Sequence, residues 1–169
     1  MEELSQEDEV FRIYPNEKEA GRRRDFTFYH LGGEYLGAGK LVFTKRDDAS
    51  GILLAYSAKG EVVFRGGLDY YRGVATLGQI SGSFQRAREH RGHQIGKKMA
   101  VVGLDILKSF LDQEELPLEK IGLVTKPGSS MAKIAEFIGM SREGDTNLYG
   151  MSTFPDLEET MGELGIEKL

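Results

Sequence analysis

Arg88-Glu89-His90-Arg91-Gly92-His93-Gln94-Ile95-Gly96-Lys97-Lys98-Met99 is the stretch that decides how this chain is read. Before it, residues 73–84 carry the β-branched and apolar pattern of a strand. After it, Ile95, Met99, Val102, Ile106 and Phe110 recur at helical spacing with Leu107 and Leu111 alongside, and no proline interrupts 96–113. A strand, a basic glycine-bearing loop and a helix start make a setting for a phosphate group. The first helical N–H groups lack intrahelical acceptors, and the helix dipole favours negative charge there. Gly92 and Gly96 allow close backbone approach, while Arg86, Arg88, Arg91, Lys97 and Lys98 add Coulombic attraction. On spacing alone a second reading stays open, in which the glycines and arginines serve only a solvated connection.

Working outward, residues 120–125 form a short apolar run that predicts a strand parallel to 74–84, with the helix as crossover. Ser129 or Ser130 can cap a following helix whose apolar face is Met131, Ile134, Ala135 and Ile138, and Gly139 suits its C-terminal cap. A turn over 141–147, a last strand over 148–154 and an acidic helical segment over 155–169 complete the C-terminal side. That segment carries Leu157, Met161 and Leu164 on one stripe, suited to covering the sheet or a partner subunit. On the other side, 25–30, 34–44, 52–58 and 61–65 read as strands. Gly32-Gly33, residues 47–51 and Lys59-Gly60 punctuate them, and 66–73 reads as a glycine-flanked aromatic loop. Residues 1–10 read as an acidic flexible end, 10–14 as a short strand and 16–24 as a helical turn. The sum is one α/β domain over 1–169, with a central mixed, mostly antiparallel sheet flanked by helices.

Composition narrows the function. Forty per cent hydrophobic and 29% charged residues suit a packed globular domain. No run is long enough to span a membrane, and the N-terminus does not resemble a signal peptide. The absence of cysteine excludes disulfides, thiolate metal sites and a cysteine nucleophile, and fits a cytoplasmic protein. Three scattered histidines show no metal-ligand spacing, so no metal is expected. A net charge of −5 argues against nucleic acid as partner and leaves the basic loop to act locally on a small anion.

Arg91-Gly92-His93-Gln94-Ile95-Gly96 resembles the acetyl-CoA pyrophosphate loop of the GNAT superfamily of N-acetyltransferases, whose pattern is Gln/Arg-x-x-Gly-x-Gly/Ala. Ala135-Glu136-Phe137-Ile138-Gly139-Met140 resembles the end of that family's next helix. The likeness covers residues 73–154. It implies an acyl-CoA N-acyltransferase fold and acetyl transfer from acetyl-CoA to an amine, by direct attack in a ternary complex. Backbone groups near Phe84 and Gln85 would then hold the pantetheine arm and thioester oxygen. Arg91, Gly92, His93, Gln94, Ile95, Gly96 and Lys97 would hold the pyrophosphate, with Ser129 at the next helix start. The family's tyrosine acid falls on Ala135, which leaves Tyr149 as the candidate acid. The usual carboxylate base falls on a strand that offers only Gln79. Gln94 stands where the pattern has its central glycine, and binding would require it in an ordinary helical or bridge conformation with its side chain in solvent. The expected partners are acetyl-CoA and an amine acceptor, small molecule or protein, with a homodimer allowed. A catalytically degenerate CoA-binding or protein-interaction module is the alternative, and a polyanion binder using residues 86–98 ranks third.

Overall fold

The structure, a computed structural model, describes residues 27–45, 47–79 and 94–169. The strand at 10–14, the helical turn at 16–24 and Phe84, Gln85, Arg91, Gly92 and His93 of the basic loop lie outside the described residues. Chain order is β1 (Thr27–His30), β2 (Leu36–Lys45), β3 (Asp48–Tyr56), β4 (Val62–Tyr71), β5 (Val74–Gln79) and α1 (Ile95–Glu114). Then follow β6 (Lys120–Val124), α2 (Ser130–Phe137), β7 (Ser141–Arg142), β8 (Leu148–Met151), α3 (Leu157–Leu164) and β9 (Glu167–Lys168). The described strands form one sheet in the order β7-β8-β6-β5-β4-β3-β2-β1-β9. Neighbours run antiparallel except β5 and β6, which are parallel with α1 as their crossover. This is the mixed, mostly antiparallel sheet flanked by helices that the hydrophobic periodicity predicts.

Alternation along the strands builds two faces. Leu53, Ala55, Leu68, Tyr70, Ala75, Leu77, Ile121 and Leu123 turn to the face that carries α1 and belong to the main core. Ile52, Leu54, Tyr56 and Val62 form a second buried cluster. Helix α1 is buried far beyond one stripe, from Ile95 through Met99, Val101, Val102 and Leu104 to Phe110 and Leu111. The sheet lies against it, and α2 and α3 pack on it as well. Each such aliphatic or aromatic side chain taken from water contributes roughly 1.5–3 kcal/mol. Tyr70 ties the far end of the helix to β4: its ring meets Phe110 edge-on, and its hydroxyl donates to the Pro117 carbonyl at 2.5 Å.

Several sequence expectations change. Residues 66–73 form no loop, since Gly66 and Gly67 continue β4 opposite Gln79 and Gly78. A Cβ on Gly66 would stand 2.9 Å from the Phe64 ring and 3.0 Å from the Gly78 carbonyl oxygen, so glycine there permits close strand packing. The turn instead falls at Arg72 and Gly73, both with positive φ. Of the expected turn at 47–51, all but its first residue is strand, and Gly51 is small because a Cβ would lie 2.2 Å from the Lys40 carbonyl oxygen. Residues 141–147 contain β7, paired with β8, and the strand expected over 148–154 stops at Met151. The C-terminal segment is not helical through 169. Asp156 caps α3, accepting from Glu159 N–H at 3.1 Å, and Gly165 ends it with φ of 69°. The last residues then add β9 to β1. With Leu157 buried, α3 covers its own domain.

Candidate functional site

The parallel pair is short. Rungs join Val74 to Lys120, Ala75 to Ile121 and Thr76 to Gly122, and no further rung forms between the described residues of the two strands. Both strands nevertheless continue. β5 stays paired with β4 as far as Gln79 opposite Gly66, and β6 stays paired with β8 as far as Val124 opposite Leu148. The sheet therefore opens between β5 and β6 beyond Thr76 and Gly122. Among the described residues, backbone N–H and C=O groups along that opening have no partner on the facing strand, which is a cost unless something else bonds them. The opening lies at the carboxyl ends of two parallel strands, where crevices of α/β sheets take ligands.

Helix α1 starts on the same side of the chain's path. Its first internal bond runs from Lys98 N–H to the Gln94 carbonyl at 3.0 Å, so the N–H groups of Ile95, Gly96 and Lys97 have no intrahelical acceptor. Gln94, the N-cap, is left-handed at φ 56°, ψ 31°, exposed, and makes no side-chain cap. This corrects the expectation of a helical or bridge backbone at Gln94. The local path keeps the left-handed turn that suits glycine, and the glutamine adopts it at a cost of about 1–2 kcal/mol. Ile95 has its side chain in the core, so only its backbone faces outward chemistry. Gly96 has a packing reason to be small, because a Cβ would stand 2.8 Å from Ile134 Cδ1 on α2. Lys97 places its ammonium 4.6 Å from the centre of the Phe137 ring, a cation–π contact that also joins α1 to α2. Burial pushes the Lys98 pKa below the ordinary lysine value.

At the end of β6, Ser129 caps α2: its hydroxyl oxygen accepts from Ala132 N–H at 3.1 Å and shares a 2.8 Å bond with the Thr125 hydroxyl. That gives Ser129 a structural task at the rim of the opening. Ala135 is buried and fills no acid role; its carbonyl takes the Met140 N–H in the turn built on Gly139, which has φ of 101°. Tyr149 lies opposite Leu123 on β8, 2% exposed, with its ring in the main core. The structure thus brings Gln94, Gly96, Lys97 and α2 together and puts Tyr149 across β6 from the opening.

One residue escaped the sequence reading. Asp69 is the single carboxylate on β4, β5, β6 and β8. It stands exposed beside Thr76, the last rung before the opening, on the face away from α1. Its signal was the charge within the apolar alternation of residues 62–71, hidden once 66–73 was read as loop. Although its side chain reaches solvent, partial desolvation by the surrounding sheet first, then the nearby Asp48 charge, raise its pKa above the ordinary carboxylate value. Among the described residues no cluster of three His, Asp or Glu side chains could hold a metal, and no helix is long and apolar enough to cross a membrane.

No family model matches the chain, and neither does any curated protein. Among solved structures it is similar to spermidine N-acetyltransferase from Vibrio cholerae. A dodecameric form in an intermediate state shares 16% identity over 62% of this chain, with a TM-score of 0.43. A chimeric form of that enzyme gives 16% over 67% of this chain and 69% of that one, at 0.42. A single-residue variant gives 14% over 68% of each, at 0.41. The chain spans 64% of the length of the dodecameric form, so the overlap is partial.

Proposed function

We propose that this protein is an acetyl-CoA-dependent N-acetyltransferase, moving an acetyl group to an amine by direct attack in a ternary complex. The observation that carries the reading is the opening of the parallel β5–β6 pair beyond Thr76 and Gly122, with helix α1 crossing between the strands. An extended pantetheine arm can bond the β5 and β6 groups that do not pair with each other among the described residues, and the N–H groups of Ile95, Gly96 and Lys97 suit the pyrophosphate. The basic loop before Gln94 supplies compensating charge. Acetyl transfer then needs positioning, a proton acceptor for the amine and a proton for the departing thiolate. Tyr149 is the candidate for the last role. The acceptor is an amine, on a small molecule or a protein, and a soluble cytoplasmic setting with a homodimer as assembly completes the proposal.

A second reading, CoA binding without turnover, is favoured by Ala135, which leaves α2 without the family's phenol. Calorimetric titration with acetyl-CoA tests binding, and thiol release in the presence of amines tests turnover. Saturable binding with amine-dependent thiol release supports the enzyme. Binding without release under any amine supports the module, and no binding removes both.

A further inference from the structure

The sheet face away from α1 carries a glycine-floored patch beside the opening. Asp69 pairs with Thr76, and Thr76 with Gly122; one step along, Gly67 pairs with Gly78. Most strand glycines in this protein have a packing reason. A Cβ would lie 2.4 Å from Ile106 Cδ1 at Gly39 and 2.2 Å from the Lys40 carbonyl oxygen at Gly51. Among the described residues Gly78 has none: a Cβ there meets nothing within 4 Å, and its φ is not positive. At Gly122 a Cβ would make only ordinary contacts, the nearest 3.6 Å. Glycine inside a strand weakens it, and is characteristic of bulges, tight bends and places where a ligand or another backbone approaches closely. Among the described residues, Gly78 and Thr76 are exposed there, and Asp69 is the carboxylate beside them at the mouth of the opening.

We infer that this face is the acceptor subsite, floored by Gly78, with Asp69 the residue that holds the acceptor's ammonium and takes its proton. The inference rests on acetyl transfer being the reaction. CoA would enter from the α1 side, and the amine would meet the thioester from the opposite face through the opening. The ammonium gives one proton to the Asp69 carboxylate. The free amine attacks the thioester carbonyl, the C–N bond forms, the C–S bond breaks, the candidate acid Tyr149 gives its proton to the thiolate, and the amine's second proton replaces it on the phenol. Asp69 returns its proton to water. Its raised pKa makes it a better acceptor than an ordinary carboxylate. Among the described residues, the ionisable groups sharing the face include Lys40 on β2, Asp48 and Tyr56 on β3, Arg65 and Tyr71 on β4, and Lys120 on β6, the last paired with Glu143.

The test uses the full chain with acetyl-CoA and three amines: spermidine, n-propylamine and Nα-acetyl-lysine amide. Asp69→Asn should lower kcat/KM for the amine roughly 100-fold or more, flatten the acid limb of the pH profile and leave the acetyl-CoA Kd unchanged. Asp69→Glu should recover part of the rate. Gly78→Val, tolerated by a strand, should raise the amine KM with melting intact. Asp69→Asn within about threefold of the parent with the same pH profile would overturn the assignment. So would a protein that binds acetyl-CoA yet acetylates none of the three amines. Absence of acetyl-CoA binding, by contrast, would remove the acetyltransferase reading itself.

Discussion

Gln94→Gly is the substitution whose outcome follows most directly from the backbone. Gln94 sits at φ 56°, ψ 31° and its side chain makes no capping bond, so removing it loses no contact of the N-cap. Glycine visits this region freely, whereas a residue with a Cβ is strained there by about 1–2 kcal/mol. Glycine's greater freedom in the unfolded chain takes back part of that gain. The net expectation is a stabilisation of about 1 kcal/mol, which for a domain of this size raises Tm by about 2–4 °C. Urea and thermal unfolding of the parent, Gln94→Gly and Gln94→Ala would measure it. Alanine keeps the Cβ and should match the parent, so glycine alone should gain. Acetyl-CoA affinity should be unchanged or improved by glycine, since the N–H groups of Ile95, Gly96 and Lys97 keep their places. A glycine variant no more stable than the alanine one would refute the left-handed N-cap. Acetyl-CoA binding abolished by glycine with the fold intact would show that the glutamine side chain itself touches the ligand.

Four further outcomes are expected. Glu115 ends α1 at φ 53° and is exposed, so Glu115→Gly should also stabilise by about 1 kcal/mol in urea unfolding. Gly51→Ala should cost at least about 2 kcal/mol because its Cβ would overlap the Lys40 backbone, while Gly78→Ala should be within about 0.5 kcal/mol of the parent. Tyr29, paired with Lys168 of β9, donates to Asp105 at 2.5 Å, so Tyr29→Phe should lose about 1.5–3 kcal/mol and loosen the C-terminal strand in hydrogen exchange. For Asp69 the folded pKa lies above the unfolded one, so its favourable contribution is present below about pH 4 and is lost as pH rises through the folded value. Asp69→Asn should therefore be the more stable protein at neutral pH, with the difference vanishing in acid; a parent that is more stable at pH 7 would contradict this.

How much of this could be read in advance depended on which force set each element. Helix α1 and the β5–β6 crossover were legible because their apolar residues recur at a fixed period and a buried helix must show it. The caps at Ser129 and Gly139 were legible too, since each follows from local bonding. Glycine misled the reading where its cause was distant. Gly51, Gly66 and Gly67 look like turn residues from sequence, yet they lie inside β3 and β4, and at Gly51 and Gly66 a neighbouring carbonyl leaves no room for a Cβ. Strand β9 was illegible because two residues carry no period, and only the β1 edge gives them structure. In the site, the loop's left-handed step at Gln94 was hidden by its residue type. Asp69 was hidden by the misplaced loop that swallowed its strand.

Amide chemical-shift mapping of the full chain with acetyl-CoA tests the central claim most directly. Saturable perturbation should concentrate on the backbone of Ile95, Gly96 and Lys97 and on the unpaired reaches of β5 and β6, residues 77–79 and 123–124. Absence of binding, or binding mapped away from that opening, would contradict it.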